Sequence, residues 1–159
     1  MSRVSNNQPL ELSVLDRLSP DGAIAPGGSG VMLDDLKQTV RRDLESLLNT
    51  RWRCEAWPPD LAELETSLVN YGIPDFTGAN LGSASDREEF RFVIERIVKR
   101  YEPRFTSVHV ELLENTDKLD RTMRFRIVAM LRARPHPEPV AFNTAVEPTS
   151  ASVTVEGEA

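Results

Sequence analysis

The sequence predicts an α+β domain in which N-terminal helices pack on a small, mostly antiparallel C-terminal sheet. Two stretches, from Leu33 to about Arg51 and from Ser85 to Tyr101, place apolar residues at helical spacing. After Pro103 the apolar residues instead alternate with polar ones, as they do in half-buried strands. Because the helices precede the strands rather than alternate with them, this order favours α+β over α/β.

The chain has the length and composition of one globular domain with an N-terminal extension. Its 159 residues, 40% of them hydrophobic, suffice to bury a core. Residues 1–30 begin polar and become rich in Gly, Pro and Ala over 21–30, so we expect a flexible arm and linker. A short apolar set within 10–18 leaves open whether this arm frays or docks. We expect the single α+β domain to occupy 31–157.

The charge balance argues against nucleic acid as the main partner. The net charge is −6, whereas binding to a phosphate backbone requires a clustered basic surface. Several arginines lie on or beside the polar face of one predicted strand, but no aromatic residues interleave with them, as a platform for single-stranded nucleic acid requires. A solvated face or an acidic protein partner explains them more simply. These residues are Arg121, Arg124, Arg126, Arg132 and Arg134.

The cysteine content and the hydropathy pattern point to the cytoplasm. Cys54 is the single cysteine, so the chain forms no internal disulfide, as is usual in a reducing compartment. No run of about 18 apolar residues occurs, and residues 1–9 lack the apolar core of a signal peptide. We therefore expect a cytoplasmic protein with no direct membrane insertion.

The first long helix is predicted from Leu33 to about Arg51. Acidic residues near its start and basic residues near its end suit the helix dipole. Arg42 and Asp43 are expected to point outward, either as part of a solvated face or as a contact. The predicted core residues of this helix are Leu33, Leu36, Val40, Leu44, Leu47 and Leu48.

The second long helix carries signals at both of its ends. Ser85 and Glu88 have the spacing of a capping box, which predicts that the helix starts at Ser85. Pro103 disfavours helical geometry at Glu102 and lacks an amide proton, so the helix is expected to end at Tyr101. Its predicted apolar stripe is Phe90, Val93, Ile94, Ile97, Val98 and Tyr101.

A shorter helix is predicted between the two long ones. Asp60 with Glu63 fits its N-terminus, and Gly72 fits its C-terminal stop, with Pro74 beyond. The turn after this helix is expected to pack against the second long helix. The predicted apolar residues of the short helix are Leu61, Leu64, Leu68 and Tyr71.

Strands are predicted after Pro103. The clearest alternation begins at Met123 and, together with that of 108–112, predicts a hairpin. Prolines then interrupt the chain before a third strand beginning at Val140 and a fourth over Val153–Val155. The predicted core face of the clearest strand is Met123, Phe125, Ile127, Ala129, Leu131 and Ala133.

Three motifs together resemble one protein family. They are RRDLESLLNTR at 41–51, LVNYGIPD at 68–75 and YEPRF at 101–105. In this order they resemble TssE, the baseplate subunit of bacterial type VI secretion systems, which is similar to a wedge protein of contractile phage baseplates and carries the historical label lysozyme-like. The resemblance extends from about Leu12 to about Glu156. It implies a structural, non-enzymatic subunit of a cytoplasmic baseplate that docks on a membrane.

The resemblance also implies partners and a contact site. The implied partners are TssF- and TssG-type wedge proteins and contractile sheath subunits, and no cofactor is implied. Glu102, Pro103 and Arg104 match an assembly contact, while Arg42 or Asp43 is implied either to meet a partner or to tie its helix to the core. The residues themselves leave open a second interpretation, in which Glu102 and Arg104 form an internal salt bridge that closes the helix–strand corner.

The lysozyme-like label requires a check for catalytic residues. Glycoside hydrolysis needs one protonated carboxylic acid and a second carboxylate about 5 to 9.5 Å away. Glu102 is the notable acid, but the adjacent Arg104 favours its ionised form, which a general acid cannot use. His109 and His136 lack metal-ligand neighbours at helix or strand spacing, so we expect no metal site. We expect no enzyme; a peptidoglycan hydrolase and a stand-alone binding module are the alternatives.

The C-terminal strands are expected to present an edge to the sheath. Val140–Val146 and Ser152–Glu156 are short, bounded by prolines and poor in charge, so their backbone groups could accept a strand from another chain. A proline at Phe142 or Thr154 is then expected to remove an edge donor. The alternative is a strand that is fully paired within the domain and followed by a loose tail.

Overall fold

The computed structural model describes residues 33–52, 58, 60–61, 63–64, 67–75, 83–114, 122–133, 136–147, 150 and 152–157. The helices are α1 (Leu33–Asn49) and α2 (Ala84–Tyr101), and the strands are β1 (Phe105–Leu113), β2 (Met123–Leu131), β3 (Glu138–Glu147) and β4 (Ser152–Gly157). The predicted α+β order is confirmed. The arm predicted over 1–30 lies outside the described residues, and the limits of the domain remain a prediction.

The strands form one antiparallel sheet in the order β1-β2-β3-β4. The hairpin of β1 and β2 is therefore confirmed, and β4 is an edge strand as expected. The expectation that Val140–Val146 forms an edge is wrong, because β3 pairs with β2 on one side and with β4 on the other. Consecutive antiparallel strands that each pair with the next place the third strand inside the sheet.

The helices cover one face of the sheet, and the core lies between them and the strands. α1 packs mainly against β4 and α2 mainly against β1. The predicted apolar stripes of both helices face this core, and β2 buries every second residue from Met123 to Leu131. These predictions are confirmed because the helical period and the strand period each fix which side chains share a face. Fully buried side chains include Leu44, Leu48, Ile73, Ile94, Phe125, Ile127 and Leu131.

α2 begins one residue before the predicted start and without a capping box. Its N-cap is Ser83, which has an extended backbone and makes no side-chain capping hydrogen bond. Ser85 therefore lies inside the first turn. Glu88 accepts a hydrogen bond from Arg91 Nε at 2.9 Å instead of reaching back to the N-cap. The predicted capping box is wrong because the N-cap position is occupied by Ser83, two residues before Ser85.

The short helix predicted between α1 and α2 is not α-helical at the residues that the structure describes there. Backbone hydrogen bonds from residue i+3 to residue i follow one another over 58–71, and Leu68–Asn70 is a 3₁₀-helix. With about three residues per turn, residues at α-helical spacing no longer share a face. Leu68 is 88% exposed and Leu61 47% exposed, so neither side chain belongs to the core. Tyr71, in contrast, packs against the core.

Candidate partner-binding site

α2 and β1 meet at a tight corner formed by Glu102, Pro103 and Arg104. α2 ends where predicted, and Glu102 caps it by donating its N–H to the carbonyl of Val98 at 2.9 Å. The Glu102 carbonyl in turn accepts a hydrogen bond from the Phe105 N–H at 3.2 Å. Pro103 is exposed at the turn, where no partner for an N–H is needed. The backbone thus holds the two charged side chains on either side of the proline in fixed positions.

The Arg104 guanidinium joins two carboxylates. Its Nε and Nη2 donate to Glu102 Oε1 and Oε2 at 2.6 and 2.5 Å. Nη2 also donates to Asp43 Oδ2, on α1, at 2.7 Å. The Arg104 N–H adds a third hydrogen bond to Glu102, at 3.1 Å to Oε1. The side chains of Asp43, Glu102 and Arg104, here named the acid–arginine network, therefore tie α1 to the corner between α2 and β1.

The network is graded from buried to exposed. The Glu102 side chain is 5% exposed, that of Arg104 22% and that of Asp43 34%. Burial disfavours the charged guanidinium, but the hydrogen bonds and negative charges of Glu102 and Asp43 outweigh this effect and raise the pKa of Arg104. An internal salt bridge, the second interpretation that the sequence left open, is thus present. Contact of these residues with a partner stays a prediction.

Arg42 lies at the solvent side of the network. Its Nη2 is 3.7 Å from Asp43 Oδ1, and its side chain is 55% exposed. The structure thus brings together Arg42, Asp43, Glu102 and Arg104, with the exposed Pro103 at the corner between the last two. All five residues predicted for partner binding therefore lie close together, with Glu102 buried beneath the others.

Tyr71 belongs to the same region, and sequence reasoning missed it. Its ring meets that of Tyr101 edge to face, with centroids 5.2 Å apart, and the Tyr101 hydroxyl donates to the Asn70 carbonyl at 2.8 Å. The pKa of Tyr71 is raised, mainly by burial and further by the charges of Asp43 and Glu102. The sequence predicted that this turn packs against the second long helix, which is confirmed, but no local pattern connects Tyr71 with the acid–arginine network.

Gly72 lets the same turn cross the end of α1. Its φ is 112°, and a Cβ at this position would lie 2.4 Å from the Thr50 carbonyl oxygen. Ile73 N–H donates to that oxygen at 2.9 Å, and Trp52 N–H donates to the Ile73 carbonyl at 3.0 Å. The Trp52 indole N–H donates to the Gly72 carbonyl. Only glycine combines this backbone conformation with so close an approach.

The outer edge of β4 is paired with α1. Val153 donates its N–H to Asn49 Oδ1 at 2.9 Å and accepts from Asn49 Nδ2 at 2.8 Å. Arg41 Nη1 donates to the Val155 carbonyl at 3.1 Å. Part of the β4 edge, which was expected to pair with a strand of another chain, is therefore already hydrogen-bonded within the domain. Side chains that satisfy an edge in this way oppose unwanted pairing with other strands.

The pairing of Val153 also shows which backbone groups of β4 point to the outer edge of the sheet. In an antiparallel strand the N–H and C=O groups of successive residues point to alternate sides. The backbone groups of Val155 and Gly157 therefore point away from β3, like those of Val153, whereas those of Thr154 point toward β3. Phe142 lies in the interior strand β3. The expectation that proline at Phe142 or Thr154 removes an edge donor is therefore wrong for both positions.

β1, at the opposite edge, is paired with α2 in the same manner. Val110 donates its N–H to Glu95 Oε2 at 3.1 Å and accepts from Arg91 Nη1 at 3.1 Å. Arg91 and Glu95 also bind each other, with Nη1 and Oε2 3.2 Å apart. Each edge strand thus has a residue whose outward N–H and C=O are both bonded to side chains of a helix, those of Val153 to Asn49 alone and those of Val110 to Glu95 and Arg91.

Both histidines are exposed. The His109 side chain is 63% exposed on the outer face of β1, and its Nδ1 lies 3.4 Å from Glu95 Oε2. His136 is also exposed. Within the described ranges, no group of three or more His, Cys, Asp or Glu side chains could hold a metal ion. In the same part of the chain, no helix is long and apolar enough to cross a membrane.

Comparisons with known proteins agree with this fold. A search of curated proteins gave no match. Among solved structures, a chain from "The baseplate complex from the type VI secretion system" matches with a TM-score of 0.50 and 20% sequence identity, over 72% of this chain and 96% of that chain. The family model for baseplate wedge protein gp25 matches residues 34–136, which include α2, the acid–arginine network and the hairpin of β1 and β2. The chain belongs to the baseplate wedge protein gp25 family.

Proposed function

We propose that this protein is a structural wedge subunit of a type VI secretion baseplate, where it joins TssF- and TssG-type proteins and supports assembly of the contractile sheath. The observation that carries the proposal is the family match over 34–136, the part of the chain that builds the acid–arginine network. A structural role needs positioned surface groups rather than a catalytic pair, and four hydrogen bonds of Arg104 hold this network together. The subunit acts in the cytoplasm, within a baseplate docked at the membrane.

The contact with the other wedge proteins lies at the solvent side of the acid–arginine network. Arg42 and Pro103 are exposed there, and Asp43 is about one-third exposed. Glu102 and Arg104 are too buried to provide much contact area, so they position Asp43 and Pro103 for the partner. Charged groups held in advance by other hydrogen bonds lose less conformational freedom on binding.

The sheath contact lies at the C-terminal end of β4. Val153 and the Val155 carbonyl are already bonded to α1, whereas Gly157 is the last outward-facing residue of the strand. A strand from a sheath subunit can add to this end through backbone hydrogen bonds, with little demand on side chains.

A charge reversal tests the wedge contact. The variant Arg42→Glu is compared with Arg96→Glu, which reverses the charge of another exposed arginine, on α2. Binding to a purified complex of TssF- and TssG-type subunits is measured together with Tm. We expect Arg42→Glu to weaken binding at least about tenfold with Tm unchanged to within a few degrees, because surface substitutions seldom alter stability much. Equal binding by the two variants places the contact elsewhere, and failure of the wild type to bind contradicts the proposed function.

Proline and alanine at Gly157 test the sheath contact. A Cβ at Gly157 meets no atom within 4 Å, so Gly157→Ala serves as a control that adds a side chain without a steric clash and keeps the N–H. Gly157→Pro removes the outward N–H as well. We expect sheath initiation in cells to fall with proline and to persist with alanine. If the folded proline variant initiates sheaths at the wild-type frequency, strand addition at this end of β4 is wrong.

A further inference from the structure

The segment between α1 and α2 exposes large apolar side chains. Leu68 is 88% exposed, Val69 50% and Leu61 47%. These are three of the five large hydrophobic residues that are exposed within the described part of the chain, the others being Phe92 and Leu113. Burial of an exposed leucine under another surface lowers the free energy of the system, because apolar area is removed from water. The concentration in one connecting segment therefore points to an interaction surface.

The backbone that carries Leu68 and Val69 is held in place. Asn70 N–H donates to the Ser67 carbonyl at 3.0 Å, and Tyr71 N–H donates to the Leu68 carbonyl at 3.2 Å. The Tyr101 hydroxyl, from α2, binds the Asn70 carbonyl at 2.8 Å. Residues 67–71, here named the apolar turn, therefore cannot fold back onto the domain without loss of these bonds. A surface presented in this way is organised before binding.

The charged residues within 58–75 are all acidic, although Arg51 of the preceding segment interacts with Asp75. The sequence from 58 to 75 contains four acidic residues and no lysine or arginine. In the described part of this segment, Asp60, Glu63 and Asp75 are exposed. Phe92 is different, since the Arg91 guanidinium lies 3.9 Å from its ring centroid. The apolar turn thus suits a partner that offers an apolar pocket with basic residues around it.

We propose that the apolar turn inserts Leu68 and Val69 into an apolar pocket rimmed by lysine and arginine on a neighbouring TssF- or TssG-type wedge protein. This inference rests on the proposed function and adds to it a second set of contact residues, next to the region of Arg42 and Pro103 because Tyr71 belongs to both. Leu68 fills the pocket, and Val69 covers its margin. Asp60, Glu63 and Asp75 orient the approach and set its dependence on salt.

The test compares two pairs of variants that remove exposed apolar groups. Leu68→Ser with Val69→Ser is matched by Phe92→Ser with Leu113→Ser as the control. The probe is the purified complex of TssF- and TssG-type subunits, and the readouts are Kd and Tm of the full chain. We expect the first pair to raise Kd at least about tenfold, because the two changes remove apolar area that the complex would otherwise shield from water. The control pair should leave Kd within about twofold.

A second pair of variants tests the charge argument. Asp60→Asn with Glu63→Gln removes two charges at nearly constant size. If a basic rim receives this segment, binding of the wild type weakens as salt rises, and the variant shows a shallower salt dependence. An unchanged salt dependence rejects the basic rim.

The remaining outcomes separate this inference from the proposed function. Unchanged Kd for the Leu68 and Val69 pair, while Arg42→Glu weakens binding, overturns the inference alone. No binding by the wild type overturns both. A fall in Tm of more than a few degrees, or a change from dimer to monomer in sedimentation, also overturns the inference, because the apolar turn is then covered by the chain itself or by a second copy.

Discussion

The carboxamide of Asn49, at the end of α1, pairs with both backbone groups of Val153 at the outer edge of β4. This arrangement reproduces the pair of hydrogen bonds that a neighbouring strand would form there. The two residues are 104 positions apart in sequence, so the pairing also links α1 directly to β4.

Asn49→Ala should weaken this attachment and expose the edge. We expect a loss of about 1 kcal/mol in the free energy of unfolding, since the edge groups regain only part of their hydrogen bonding from water. Self-association should increase, because an unpaired edge accepts other strands. Gln38→Ala, at an exposed position of the same helix, is the control. Urea denaturation and sedimentation velocity measure the two effects, and equal behaviour of the two variants contradicts the role of Asn49.

Arg104→Ala should destabilise the protein strongly. It leaves the Glu102 carboxylate, whose side chain is 5% exposed, without its principal partner. Removal of one member of a buried ion pair costs about 3 kcal/mol or more. The double variant with Glu102→Ala should lose less than the sum of the two single changes, since the residues act together. Additive losses in chemical denaturation are inconsistent with the network.

Gly72→Ala should be destabilising where Gly157→Ala is not. At Gly72 the backbone φ is 112° and the added Cβ meets the Thr50 carbonyl oxygen at 2.4 Å, whereas at Gly157 it meets nothing within 4 Å. We expect a loss of about 2 kcal/mol or more at Gly72, from backbone strain and displacement of Thr50. The change at Gly157 should stay within about 0.5 kcal/mol. Thermal unfolding of the two variants gives the comparison.

Tyr71 should make stability fall at alkaline pH. Burial, followed by the charges of Asp43 and Glu102, raises the pKa of its phenol in the folded state above the ordinary value of 10.0. The folded protein therefore holds this proton more tightly than the unfolded chain, and the contribution to stability is full below the unfolded pKa and is lost as pH rises through the folded pKa. Tyr71→Phe should show a smaller decline of Tm between about pH 9 and pH 11. An identical decline in wild type and variant rules out this linkage.

The purified protein should not hydrolyse peptidoglycan. Glu102 is the one buried acid in the described part of the chain, and Arg104 occupies its carboxylate with three hydrogen bonds. A general acid must instead hold a proton and face its substrate. Turbidity of a cell-wall suspension measures the activity. Clearing by the wild type that one carboxylate substitution abolishes would show that the family contains an enzyme after all.

Local periodicity by itself determined the helices, the strands and the faces that they bury. The stripes of α1 and α2 and the alternation of β2 recur within a few residues, and the tertiary structure keeps them because only one face of each element can be buried. Pro103 determined the end of α2 for a similar local reason, since a missing N–H and a fixed φ act on the adjoining residues. The capping box and the short helix failed because their patterns were short and compatible with a second backbone geometry.

Tertiary structure alone decided which residues meet. Arg104 reaches Asp43 across 61 positions and Asn49 reaches Val153 across 104, and no sequence pattern joins such pairs. The interior place of β3 likewise depended on β4 pairing beside it. Such contacts follow from how whole elements pack, because burial of the apolar faces sets where the helices lie over the sheet. The sequence determines which polar side chains are present, whereas the packing of the helices on the sheet determines which of them are close enough to bond.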